Sequence, residues 1–168
     1  MLINTEQRAF RLEIPMLLSF HKCNEVLKYV ASTVPKDRFS SEINYKAKDN
    51  NGPHWFGYRC SIKELNSNLS LYIHFGFIFL PKTKVGLMVE LDRNNNLQVY
   101  EQIWDQIEDS SFYKVNKEES DYLKLFIPDD HLSQVMEEHS AVTQAELVQK
   151  YFISCCDALL RAGRKGNK

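Results

Sequence analysis

Long apolar runs are missing from this chain. The longest, Ile14 to Leu18 and Phe75 to Leu80, fall far short of the roughly 20 residues that a bilayer-crossing helix needs. Glu6, Arg8, Arg11 and Glu13 interrupt any apolar segment near the start, so a signal-peptide layout is missing too and the expected compartment is the cytosol. An excess of one charge is also lacking: 21 basic side chains face 22 acidic ones, a formal charge of -1. Broad nucleic-acid binding, which normally draws on a clustered basic excess, is therefore disfavoured. Only a local patch of Arg59, Lys63, Lys82 and Lys84 would serve it. The four cysteines, Cys23, Cys60, Cys155 and Cys156, have no Cys-x-x-Cys spacing, and reduced, buried thiols without zinc or disulfide are expected.

Catalytic signatures are sparse as well. The chain has no phosphate-binding Gly-rich loop, no Gly-x-Ser-x-Gly elbow and no His-Glu-x-x-His. No lysine follows an acid by two positions, which counts against a restriction-type nuclease core. Asp92, Asn94 and Asn96 imitate the start of a calcium loop, but Leu97 stands where Gly is needed and Ile103 where Glu is needed. No repeat or low-complexity tract appears.

What is present is a chain of 168 residues, 43% apolar and 26% charged, the balance of an ordinary soluble protein of one domain. The expected organisation is one α+β domain over 1–162 and a flexible basic tail over 163–168. Thr5 caps a first helix, Pro15 kinks or restarts it, and Leu17, Leu18, Val26, Leu27 and Val30 form its apolar side. A short strand from Glu42 to Lys46 precedes the turn signal Asp49-Asn50-Asn51-Gly52-Pro53.

From Trp55 the period becomes two. Phe56, Tyr58, Cys60 and Ile62 share one face; so do Leu69, Leu71, Ile73, Phe75, Phe77 and Phe79, and again Val85, Leu87, Val89 and Leu91. That alternation predicts a central antiparallel meander with helices on its apolar face. An odd-residue loop within Pro81 to Lys84 would keep both Phe-rich faces on one side. Asn94-Asn95-Asn96 ends the meander, and Tyr100, Ile103, Trp104 and Ile107 follow at helical spacing. Phe112 to Val115 and Tyr122 to Ile127 predict a second hairpin, and Pro128 opens a short helix. The last helix carries the stripe Leu147, Val148, Tyr151, Phe152, Cys155, Leu159 and Leu160, with a capping box of Thr143 and Glu146 and a stop at Gly163.

The same alternation turns Trp55, Gly57, Arg59, Tyr72, His74, Gly76, Glu90 and Asp92 outward. With a tight connection between the second and third strands, His74 falls opposite Asp92 and Gly76 opposite Glu90, and Arg59 lies near Tyr72. Two functions fit such a face. In the leading one, Trp55, Arg59, Tyr72 and His74 form a binding surface for a protein or peptide partner in a non-enzymatic interaction module, with a homodimer as one option and no cofactor. In the alternative, a small metal-dependent hydrolase or phosphoesterase, His74 is the base, Glu90 or Asp92 orients it or holds metal, and Arg59 clamps an anion. A solvated sheet face without function accounts for the same residues. His131 and His139, eight apart among Asp129, Asp130, Glu137 and Glu138, match a solvated acidic helix better than a ligand pair. Arg161, Arg164, Lys165 and Lys168 complement the end of the last helix. The order of elements is loosely similar to that of type III secretion chaperones, which bind partner polypeptides as dimers. The likeness is one of order alone, and this chain is less acidic than such chaperones.

Overall fold

The computed structural model describes residues 25–39, 44–47, 55–65, 67–75, 85–93, 97–108, 112–115, 122–138 and 140–165. Several expectations fall outside them: the Thr5 cap, Pro15, Leu17 and Leu18, Cys23, the Asp49 to Pro53 turn, Phe77, Phe79, the Pro81 to Lys84 connection, Asn94 to Asn96 and His139.

The fold is α+β. Its described part begins in a helix over 25–33, α1, which buries Val26, Leu27 and Val30. Strands β1 (Asn44–Ala47), β2 (Trp55–Ile62), β3 (Ser67–Phe75) and β4 (Val85–Leu91) follow. Then come α2 (Leu97–Gln106), β5 (Tyr113–Lys114), β6 (Leu123–Phe126), α3 (Asp129–Glu137) and α4 (Ala141–Lys165). The six described strands form one sheet in the order β1-β2-β3-β4-β6-β5, with every pairing antiparallel.

Alternation decides the inner face as expected. Tyr58, Cys60 and Ile62, then Leu69, Leu71 and Ile73, then Leu87, Val89 and Leu91 are all buried, joined by Leu123 and Leu125 of β6. The described helices pack on this face in one apolar cluster. Phe152 of α4 sits at its centre, its ring centroid 5.6 Å from Phe39 and 5.9 Å edge-on from Tyr58. Cys60, Cys155 and Cys156 are buried in the same seam and form no disulfide among the described residues. Burial pushes the Cys60 and Cys156 thiols up to about 12.

Polar side chains hold the helix ends. Lys114 donates to the Trp104 carbonyl at 2.7 Å, and so satisfies one of the open carbonyls at the C-terminal end of α2. The Tyr151 hydroxyl donates to the Leu125 carbonyl at 2.7 Å and ties α4 to β6. Gln144 donates to the Val135 carbonyl at 2.8 Å and ties α4 to α3.

Both ends of α4 depart from expectation. The capping group is Ser140, whose Oγ accepts from the Thr143 N–H at 3.4 Å and whose carbonyl accepts from the Gln144 N–H at 2.9 Å. Thr143 is already helical there, so the Thr143 and Glu146 box is corrected. At the other end, Gly163 does not stop the helix, and 163–165 belong to α4 rather than to a tail. Gly163 is a packing residue: a Cβ on it would lie 3.1 Å from Leu65 Cδ2 and 3.5 Å from Ile103 Cδ1. Gln102 of α2 donates to the Ala162 and Gly163 carbonyls at 3.3 and 3.1 Å.

Two stability outcomes follow from this packing. Phe152→Ala, which empties the centre of the cluster, is expected to cost about 3–5 kcal/mol in chemical denaturation; a loss below about 1 kcal/mol would show that the seam is not the core. Gly163→Leu gains helix propensity but overfills the α2–α4 contact, and a net loss of about 1–3 kcal/mol is expected. An unchanged or raised denaturation midpoint would mean that Leu65 and Ile103 yield without cost.

Candidate functional site

The outer face is built from rows that run across the strands. One row joins Asn44, Arg59, Ser70, Glu90 and Lys124 through direct cross-strand pairs. The next joins Lys46, Gly57, Tyr72, Met88, Phe126 and Tyr113. Beyond it, His74 stands between Trp55 and Gly86.

This pairing corrects the expected constellation. The last β3–β4 pair is Phe75↔Val85, which leaves nine residues, 76–84, between the strands where a tight connection was expected. His74 therefore faces Gly86 instead of Asp92, and Glu90 faces Ser70 instead of Gly76. Six residues of strand separate Gly86 from Asp92, so His74 and Asp92 lie about 20 Å apart along the sheet. Three of the four residues named for chemistry do converge. Arg59 forms an ion pair with Asp92, and Glu90 shares the Arg59 row; His74 is excluded. Tyr72 is a diagonal neighbour of Arg59 and Trp55 is paired with His74, so Trp55, Tyr72 and His74 stand toward one end of β2 and β3 with Arg59 midway along.

Sequence reasoning missed Lys124. Its Nζ lies 4.0 Å from Glu90 Oε2, with side-chain exposures of 15% for Lys124 and 21% for Glu90. Burial pushes the Glu90 carboxyl above its usual range and nearby Asp92 adds to the rise, whereas Lys124 and Arg59 oppose it. Ser61 donates to Asn68 Oδ1 at 2.6 Å beside this set. Chemically, Arg59, Glu90 and Lys124 of the row together with Asp92 make a balanced cluster of two carboxylates and two cations. Among the described residues, no group of three or more His, Cys, Asp or Glu side chains could hold a metal ion.

The expectation of a solvated outer face also needs correction. Ser70 and Gly57 are buried, and Met88, Val115 and Phe126 form an apolar cluster of their own. Met88 and Phe126 have outward parity on β4 and β6 yet are apolar, which was the available signal. Tyr113 stacks on Phe126 with centroids 5.3 Å apart and an interplanar angle of 13°. It remains 47% exposed, and Tyr122, one residue ahead of β6, remains 46% exposed. No family model, curated protein or solved structure matches this chain. No helix of the described residues is long and apolar enough to cross a membrane.

Glu90 yields a pH prediction. Its folded-state pKa lies above the unfolded value, so the unfolded chain releases this proton first as pH rises. The stability associated with the neutral carboxyl is full below the ordinary carboxylate range and is lost as pH climbs through the raised value. Carbon-detected NMR titration should place Glu90 above ordinary glutamates, and Lys124→Met should raise it further. A Glu90 that titrates with the exposed glutamates, or falls in Lys124→Met, contradicts this electrostatic reading.

Proposed function

We propose that the protein is a non-enzymatic interaction module that binds a protein or peptide partner, with self-association as one form of that binding. The supporting observation is the aromatic end of the outer face. Tyr113 stands half-exposed on the buried strip of Met88, Val115 and Phe126, and Tyr122, just ahead of β6, is half-exposed too. The Arg59–Asp92 pair and the Glu90–Lys124 pair supply polar neighbours across the same face. An apolar floor with projecting tyrosines and charged surroundings is the composition of a recognition surface, where rigid aromatics supply contact area at low entropic cost. β5, at the edge of the sheet, is two residues long. A strand that short offers little backbone for edge-to-edge pairing, so side chains rather than ladder hydrogen bonds carry the recognition. The hydrolase reading gains no such support, because its proposed base is separated from both carboxylates.

Sedimentation velocity over a concentration series, together with a peptide-display selection on the intact protein, tests this reading. Tyr113→Ala/Tyr122→Ala should weaken self-association or selected-peptide binding by at least about tenfold under conditions where circular dichroism shows the variant folded. A monomer at every concentration with no enriched peptide, or peptides that bind the double variant equally well, would sink the proposal.

A further inference from the structure

On the helical side of the sheet, α3 and α4 line a groove of about 220 Å³. Its lining follows from helical spacing: His131 and Val135 on α3, and Leu147 and Tyr151 on α4, are i, i+4 pairs that bring two stripes to one space. Ile127, at the end of β6, adds to the floor. Val135, Tyr151 and Ile127 are buried and Leu147 is partly so. The Tyr151 hydroxyl is already committed to the Leu125 carbonyl, so it presents ring rather than donor.

Of the groove's polar lining, Lys150 carries a fixed charge, His131, Gln134 and Ser154 are polar, and no carboxylate takes part. Among the described residues Lys150 has no acidic partner within ion-pair reach, whereas His131 has Asp130, its own chain neighbour, 3.9 Å away. An apolar floor with an exposed ammonium at its edge complements an anion with an apolar body. The volume falls below the roughly 300 Å³ at which pockets for drug-sized ligands begin, so the occupant is small. We propose that the α3–α4 groove is a binding site for a small carboxylic acid whose apolar body rests on Ile127, Val135, Leu147 and Tyr151 and whose carboxylate meets Lys150.

Methyl and amide NMR titration of the full chain with 4-phenylbutyrate and with its neutral amide tests the site. The acid should give saturable shifts at Ile127, Val135 and Leu147 and bind at least about threefold more tightly than the amide, within the range of one partly exposed ion pair. Lys150→Gln should abolish that preference and leave amide binding in place. Ser154→Leu, which fills the groove from α4, should weaken both ligands by at least about tenfold; if this variant melts early, the Lys150→Gln comparison decides alone. Equal affinity for acid and amide, a preference that survives Lys150→Gln, or no saturable shift with either ligand up to about 10 mM overturns the assignment.

Discussion

The contact of Phe152 with Tyr58 and Phe39 is the constraint on which the other placements rest. It seats α4 across the apolar face of β2, and α2, α3 and β6 are each tied to α4. α2 is held through Gly163 and through Gln102 at the last turn of that helix. α3 is held through Gln144, and β6 through Tyr151. Burying one stripe of a long helix thus fixes the strand next to the sheet edge, two shorter helices and the groove between α3 and α4. The hydrophobic effect supplies most of the driving force. The side-chain hydrogen bonds to the carbonyls of Trp104, Leu125, Val135, Ala162 and Gly163 tie the elements to one another.

How far the fold could be read from the sequence depended on the parity of strands. A residue's face depends only on whether its position is odd or even, so alternation in β2, β3 and β4 identified Tyr58, Leu71 and Val89 as core without knowledge of any loop. A residue's partner depends on the sum of the paired numbers. Expecting His74 opposite Asp92 sets that sum at 166; the observed His74↔Gly86 sets it at 160. The difference is six, an even number, so every side chain kept its face while every β3–β4 partner changed. Core and candidate site were inferred from the same alternation, yet only the core was insensitive to the length of the connection.

Other misses have local causes. The apolar outward residues Met88 and Phe126 stand on different hairpins, and their meeting requires β6 to pair with β4, which no turn chemistry announces. Lys124 went unnoticed for the same reason: its position opposite Glu90 is a tertiary fact. The Ser140 cap was legible in principle, since it precedes the periodic stripe, but Thr143 and Glu146 satisfied a better-known pattern. Lys150 and Ser154 flank core positions of α4, and only the presence of α3 turns that flank into the wall of a groove.

The placement of the cysteines has a consequence for observing this chain in motion. Cys60 belongs to the sheet and Cys155 and Cys156 to α4, so the two walls of the central seam each carry a thiol. Cys60 and Cys156 hold their protons up to about 12. Because the thiolate is the reactive form, neither reacts appreciably at neutral pH while the seam is shut. Alkylation must wait for an opening event, and its rate becomes a clock for that event. Simultaneous labelling of both walls would report the helix lifting from the sheet as a unit, whereas staggered labelling would report which wall frays first. The molecule carries its own stopwatch, with the hands on opposite sides of the door.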